Sequence, residues 1–380
     1  MANWQVGPVL DADQLHKATS VIIQGYMNES EIATFIQEID QAPKLQRIEL
    51  VEALDGILIA SMILFANVIQ KPSLVKLAVT DTRLSLKAIE LFCQGLIGSS
   101  IECLDVTNLG LGAEGGLYLG RGIRGAKKLV DVKAGNNQFQ GAGIKHLISN
   151  PLFRLSIPDN DVHERDWPIL FKKCRIHARL DISCAELTLT AMETLITKFE
   201  SLVDLKLNCI NLYLSFKILC RGLQKSSLKI LEIRNCQLGN YSIHSLCEVL
   251  KTNRSLEKID MAKNQLGFKG QRELIKGLNL NYTLLHLIID PLYHYPAVPI
   301  QTRLTPMENE SVTALIIRLC LQNDTLHLRG FWAPQLHQYH PVSTHDRIIL
   351  LLMMWPLPMD LAIYVFSFWL GVEGCNGYIT

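Results

Sequence analysis

The sequence predicts an α/β solenoid: a stack of short parallel strands, each followed by a helix. Three observations carry this. First, apolar residues recur in one frame. Leu228, Leu231, Ile233, Cys236 and Leu238 fall at offsets 0, 3, 5, 8 and 10, and Leu256, Ile259, Met261, Asn264 and Leu266 repeat it 28 residues later. Second, offsets 3 and 5 alternate as the buried face of a strand does. Third, the second half of a repeat reads as helix. Ile243, Leu246, Cys247 and Leu250 form one stripe, and Leu274, Ile275 and Leu278 another. A single such repeat cannot bury its own apolar face, so stacking is compulsory.

The frame can be followed from the N-terminus. Residues 1–44 read as a cap with a half-repeat near Val21 and Ile23. Leu45, Ile48 and Leu50 open the array of residues 45–290 and then drift; Leu74, Leu77, Val79, Thr82 and Leu84 fit it fully. Good copies start at Ile101, Leu129, Leu152 and Leu202. A degenerate copy lies around Leu180, Ile182, Ala185 and Leu187, and Leu284, Leu287 and Ile289 close the array, about ten repeats in all. From Leu129 to Leu152 the period drops to 23, so irregular helices or loops are expected between Pro151 and Leu187. Asn or Cys at offset 8 suits the turn, where a small polar side chain satisfies backbone groups left as the strand ends. Gly after offset 10 suits the tight entry into the helix.

This pattern resembles the ribonuclease-inhibitor class of leucine-rich-repeat proteins from roughly Leu45 to Asp290. The resemblance implies a horseshoe whose parallel sheet lines a concave face, with helices on the convex side. Degenerate copies and a divergent tail are also similar to the leucine-rich-repeat effectors that intracellular bacteria deliver into host cells. That likeness implies action on a host protein in the host cytoplasm.

Composition narrows the function classes. At 48% hydrophobic and 19% charged, the chain can build a large core. A net charge of +1 gives no overall electrostatic drive toward nucleic acid or an anionic membrane, so any charged face must be local. Residues 1–10 carry neither a basic n-region nor an apolar h-region, from which a cytoplasmic location is expected. The ten cysteines form no Cys-x-x-Cys motif; Cys184, Cys209 and Cys236, and Cys220 and Cys247, recur near the repeat period. They read as reduced, small apolar core residues.

Few motifs suggest chemistry. Gly110-Leu111-Gly112-Ala113-Glu114-Gly115 mimics a dinucleotide fingerprint, with Asp131 near the place of a ribose-binding acid. Thr107, Asn108 and Leu109 separate it from its strand, and later repeats carry glycine in the same places, so these read as turn glycines. His327, His337, His340 and His345 cluster late without the partners of a zinc motif and read as loop residues. No catalytic motif, cofactor or metal is expected.

The outward strand positions are more informative. Offset 4 runs Glu49, Ala78, Asp105, Lys133, Ser156, Asp181, Lys206, Glu232, Asp260, and offset 2 includes Asp131, Arg154, Arg179, Asp204 and Lys258. They form either a solvated charge ladder, in which Asp181, Lys206 and Glu232 pair, or a docking surface of mixed sign. The candidate partner-binding residues are Asp181, Asp204, Lys206, Glu232, Arg234, Lys258 and Asp260, drawn mainly from the best-formed repeats. The expected function is non-catalytic binding of another protein through this face.

Beyond Asp290 the repeat is lost. Residues 291–380 are expected to be mainly helical, with an amphipathic helix over Glu310 to Gln322 and an apolar cap over Ile348 to Leu370. Asp360, Pro356 and Pro358 argue against a membrane span there. Leu357 to Phe368 is similar to the first helix of an F-box. Trp355-Pro356-Leu357-Pro358, with Leu361 and Tyr364, is similar to the cullin-binding part of a SOCS box. Either implies the alternative function of a substrate adaptor for a cullin-type ubiquitin ligase. Gly330 and Pro334 depart from the SOCS pattern.

Overall fold

The computed structural model describes residues 17–289 apart from 279 and 282. The chain divides into two compact units, Met1–Gln237 and Leu238–Thr380. The first unit alternates strand and helix throughout: β1 (Ser20–Gln24), α1 (Glu29–Gln41), β2 (Arg47–Val51), α2 (Ile59–Ile69), β3 (Lys76–Thr80), α3 (Leu86–Leu96) and β4 (Cys103–Asp105). It continues with α4 (Gly112–Gly125), β5 (Asp131–Lys133), α5 (Gln140–Ile148), β6 (Arg154–Ser156), α6 (Trp167–Lys173) and β7 (Arg179–Asp181). It ends with α7 (Leu189–Ile196), β8 (Asp204–Lys206), α8 (Phe216–Leu223) and β9 (Ile230–Glu232). Each strand pairs in parallel with the next, and the register joins equal offsets, as in Leu104↔Val132, Val132↔Leu155 and Leu205↔Leu231. The second unit contains α9 (Asn240–Thr252), β10 (Lys258–Asp260), α10 (Phe268–Leu278) and β11 (His286–Ile288), with β10 and β11 parallel.

The first strand–helix pair lies upstream of residue 45. Ser20 to Gln24 pairs residue for residue with β2, and α1 starts with a reciprocal Asn28–Glu31 capping box. Where irregular helices or loops were expected between Pro151 and Leu187, the chain forms a regular but short helix, the seven-residue α6, and α7 after it has eight residues. The inward strand positions are fully buried, Leu205, Leu231 and Ile233 in the first unit and Ile259 in the second, with Leu287 also buried. In the second unit the helical stripe of Ile243, Leu246, Cys247 and Leu250 is buried as well.

Buried amides hold the turn between strand and helix. Asn137 accepts from the Leu109 amide at 2.9 Å and donates to the carbonyls of Val106 (2.7 Å) and Gly135 (3.0 Å). Asn160, one repeat on, accepts from Asn137 N at 3.0 Å and donates to the carbonyls of Ala134 and Ile157. Cys236 takes the same offset and donates to Leu207 and Arg234 carbonyls. Thr82 takes the same offset, and its buried hydroxyl has no hydrogen-bond partner among the described residues. Just before this ladder, offset 7 is left-handed in nearly every repeat: Asp81, Asn108, Asn136, Asp159, Cys184, Cys209 and Asn235 all have φ between 51° and 64°.

The glycines of the dinucleotide-like run are absorbed by the fold. Gly110 and Gly112 sit at φ 64° in the turn into α4, and a Cβ on Gly116 would lie 2.6 Å from Gly143 Cα on α5. The cysteine expectation needs one correction. None of the eight cysteines in the described residues forms a disulfide, and Cys220, Cys236 and Cys247 are buried; Cys184 and Cys209 are exposed, because offset 7 points out of the turn. Burial pushes the thiols of Cys236 and Cys247 up to about 12 and about 11, which keeps them protonated. No helix among the described residues is long and apolar enough to cross a membrane. The late histidines, the Glu310 to Gln322 helix and the apolar cap lie outside the described residues.

Two substitutions check this account. Leu231→Ala removes a fully buried side chain and should cost about 2–5 kcal/mol in chemical denaturation; a wild-type midpoint would contradict the assigned frame. Asn137→Leu strands several buried backbone groups and should cost at least about 2 kcal/mol. Asn137→Cys should recover part of that loss, because Cys236 performs the same task.

Candidate functional site

The sheet face turned away from the helices carries rows of charge, built by register. In the first unit, neighbouring strands place opposite charges side by side. Lys133 Nζ lies 3.3 Å from Asp105, Arg154 Nε 2.8 Å from Asp131, Arg179 Nε 2.6 Å from Asp204, and Lys206 Nζ 3.0 Å from Glu232. Each pair joins register partners on adjacent strands. Arg154 and Arg179 are themselves register partners, so four consecutive strands carry Asp131, Arg154, Arg179 and Asp204 in one row. A single-residue slip would turn every one of these side chains into the core.

The predicted site residues divide by what they touch. Lys206 and Glu232 pair across β8 and β9 as expected, and Asn208 Nδ2 also approaches Glu232 at 3.4 Å. Asp181 does something else. Its Oδ1 accepts from the Ser183 amide (3.1 Å) and hydroxyl (2.7 Å), and its Oδ2 accepts from Ser156 Oγ at 3.0 Å. Asp105 holds Thr107 the same way, so an offset-4 aspartate closes the end of its strand. Asp204 was expected to project outward, but it is only 5% exposed and lies beneath the Arg179 guanidinium. Arg234 is exposed at offset 6, past the end of β9, and its amide donates to Asn208 Oδ1 at 2.8 Å.

Lys258 and Asp260 belong to the second unit. Lys258 is half-buried on β10. Asp260 is 5% exposed rather than open to solvent, and its Oδ1 accepts from the Ala262 amide at 3.2 Å. The candidate set left out Arg154, Arg179 and Phe153. The exposed Phe153 ring has the Arg154 guanidinium 6.0 Å from its centroid. The signal in the sequence for the arginines is the outward offset-2 row, where Arg154 and Arg179 follow one another; Phe153 stands at offset 1. Among the described residues no group of three or more His, Cys, Asp or Glu could hold a metal ion.

The pairs differ in depth, and stability should reflect that. Arg179 covers a buried carboxylate, so Arg179→Ala should cost about 1–3 kcal/mol by leaving Asp204 short of a partner. The Lys206–Glu232 pair is more accessible, and Lys206→Ala should cost under about 1 kcal/mol. Urea denaturation of both variants separates the two; equal losses would contradict the stated role of Asp204 burial.

No family model matches the chain. It is 28% identical to ribonuclease inhibitor from Mus musculus over 221 residues, which is 55% of this chain and 43% of that protein. It is 26% identical over 223 residues to NACHT, LRR and PYD domains-containing protein 12 from Mus musculus, covering 57% of this chain and 19% of that protein. The chain thus spans less than half the length of these curated relatives. Among solved structures, that of the yeast Rad7 and Elc1 complex aligns with a TM-score of 0.43 and 17% identity, over 66% of this chain and 71% of that one. The strand–helix period and the in-register parallel pairing give this chain a leucine-rich-repeat fold, and its sequence is similar to that of ribonuclease inhibitor.

Proposed function

We propose that the chain is a non-catalytic scaffold that binds a partner protein through the helix-free face of its sheet. The observation that carries this is the row of charges on β4 to β9. Side chains of both signs stand in fixed register on a rigid backbone, so they can meet a complementary surface without first being ordered. Val130, Phe153 and Val203, exposed beside that row, add apolar contact. Within the row, Lys133, Arg154, Arg179, Lys206 and Glu232 make the contacts. Asp181 and Asp204 hold the strand ends and the arginines in place, and Arg234 extends the surface past β9. In the second unit Lys258 and Asp260 occupy the corresponding strand positions. The bacterial-effector and ligase-adaptor readings stay with the resemblance, since the residues behind the adaptor, Leu357 to Phe368, lie outside the described ones.

The test is a partner identified by affinity capture and then purified. Lys133→Glu combined with Lys206→Glu should weaken its binding by roughly tenfold or more at low salt, with a smaller difference at high salt. Circular dichroism should stay unchanged, because neither side chain enters the core. Unchanged affinity at low salt would move the interface off this face. Recovery of cullin-type or Skp1-like subunits as the bound partner would replace the scaffold reading with the adaptor.

A further inference from the structure

We infer that one edge of the first unit is a docking surface for an anionic phospholipid membrane, formed where α4, α5 and α6 end and the strands that follow them begin. Helix α4 ends with Arg124, with Arg121 one turn before it, and the linker after it adds Lys127 and Lys128. Helix α5 ends with Lys145 and His146. Helix α6 ends with Lys172 and Lys173, and Arg175 follows. All of these except His146 are exposed, and none of the eight lysines and arginines forms an ion pair among the described residues.

The fold makes them one surface. Asn150 Nδ2 donates to His146 O (2.7 Å) and to Gly120 O (3.3 Å), tying the ends of α5 and α4 together. The Arg175 amide donates to Ile148 O at 3.0 Å, which brings the end of α6 alongside. The proximity shows in His146. Its partly buried imidazole is held below the ordinary histidine value first by desolvation, then by Lys145, Arg124 and Arg121. The helix dipole favours a cation in a last turn. It does not account for Lys127, Lys128 and Arg175, which lie in the linkers.

Charge is segregated across the unit. Between residues 115 and 158 the only carboxylate is Asp131, which is paired with Arg154 on the sheet face. The acids of the next repeat, Asp159, Asp161, Glu164 and Asp166, all fall in the loop from β6 to α6, at the opposite edge. Glu102 borders the basic surface beside β4. A net charge near zero therefore hides a strongly basic edge.

Large apolar side chains stand among the cations. Ile97 is 48% exposed, Val130 40% and Phe153 53%. Gly98 N bonds Gly125 O at 3.1 Å and Phe153 N bonds Val130 O at 3.1 Å, so all three border the same edge. Cations around aliphatic and aromatic side chains are what an anionic bilayer surface rewards: charge meets the headgroups while the apolar tips enter the interface. A single-stranded nucleic acid would call for several stacking rings, whereas this edge offers Phe153. An acidic peptide would call for a groove, whereas the cavities of this unit near Asp159 and Asn108 open among the loops of the opposite edge.

The full chain should co-sediment with vesicles of equal parts phosphatidylserine and phosphatidylcholine, in a salt-sensitive manner, and far less with phosphatidylcholine alone. Each basic side chain near such a surface contributes roughly fivefold, so Arg121→Glu, Lys145→Glu and Lys172→Glu together should weaken binding by roughly a hundredfold or more. Phe153→Ser, made separately, should weaken the binding that survives high salt. It also keeps the test decisive if the triple variant fails to fold by circular dichroism. Equal binding to both vesicle types, or wild-type binding by the folded triple variant or by Phe153→Ser at high salt, would overturn the inference. So would a labelled single-stranded RNA that binds more tightly than the vesicles and displaces them.

Discussion

The structure depends on satisfying the backbone where each strand turns into its helix. From β4 onward the strands are only three residues long, so sheet pairing alone leaves many peptide groups exposed to the core as the chain bends away. Asn137 and Asn160 resolve this by bonding to backbone groups of their own repeat and of the preceding one. The left-handed residue just before them aims the chain into that turn. An amide reaches a donor and an acceptor at once, and the Cys236 thiol donates to the carbonyls of Leu207 and Arg234 from the same offset. Stacking is therefore cemented by polar contacts as well as by apolar burial. Each repeat specifies the phase of the next.

That phase fixes what the exposed face can present. Since equal offsets align, a residue chosen at one strand position always meets the residue at the same position one repeat on. Asp131, Arg154, Arg179 and Asp204 form a row for this reason, and two guanidinium groups can stand side by side because a carboxylate flanks each. Some members of the row also serve the fold: Asp181 and Asp105 close their strand ends, and Asp204 lies nearly buried. The face is thus a surface whose charges are held by local structure, which lowers the entropy lost when a partner docks.

The same geometry separates charge between the two edges of the first unit. Every helix end falls on one edge and every strand end on the other. Basic last turns followed by basic linkers collect on the first, and acidic turn residues collect on the second. Neither group cancels the other locally, although the net charge of the whole chain is only +1.

The sequence by itself determined the repeat, its phase and which strand positions are inward. Those follow from spacing, since apolar residues at offsets 3 and 5 can satisfy only one face of a strand. It also determined the small polar residues at offset 8, and it marked the departure of the helical half-repeat after Leu152 without its form. Only the tertiary structure decided how outward positions are spent. Whether Asp204 is open or covered depends on the arginine one strand away in space and 25 residues away in sequence. Whether a cysteine at the repeat period is core or surface depends on backbone handedness: Cys236 at offset 8 is buried, and Cys209 at offset 7 is not. The basic edge was invisible for the same reason. Its cations are scattered from Arg121 to Arg175, and only the stacking of three helix ends gathers them.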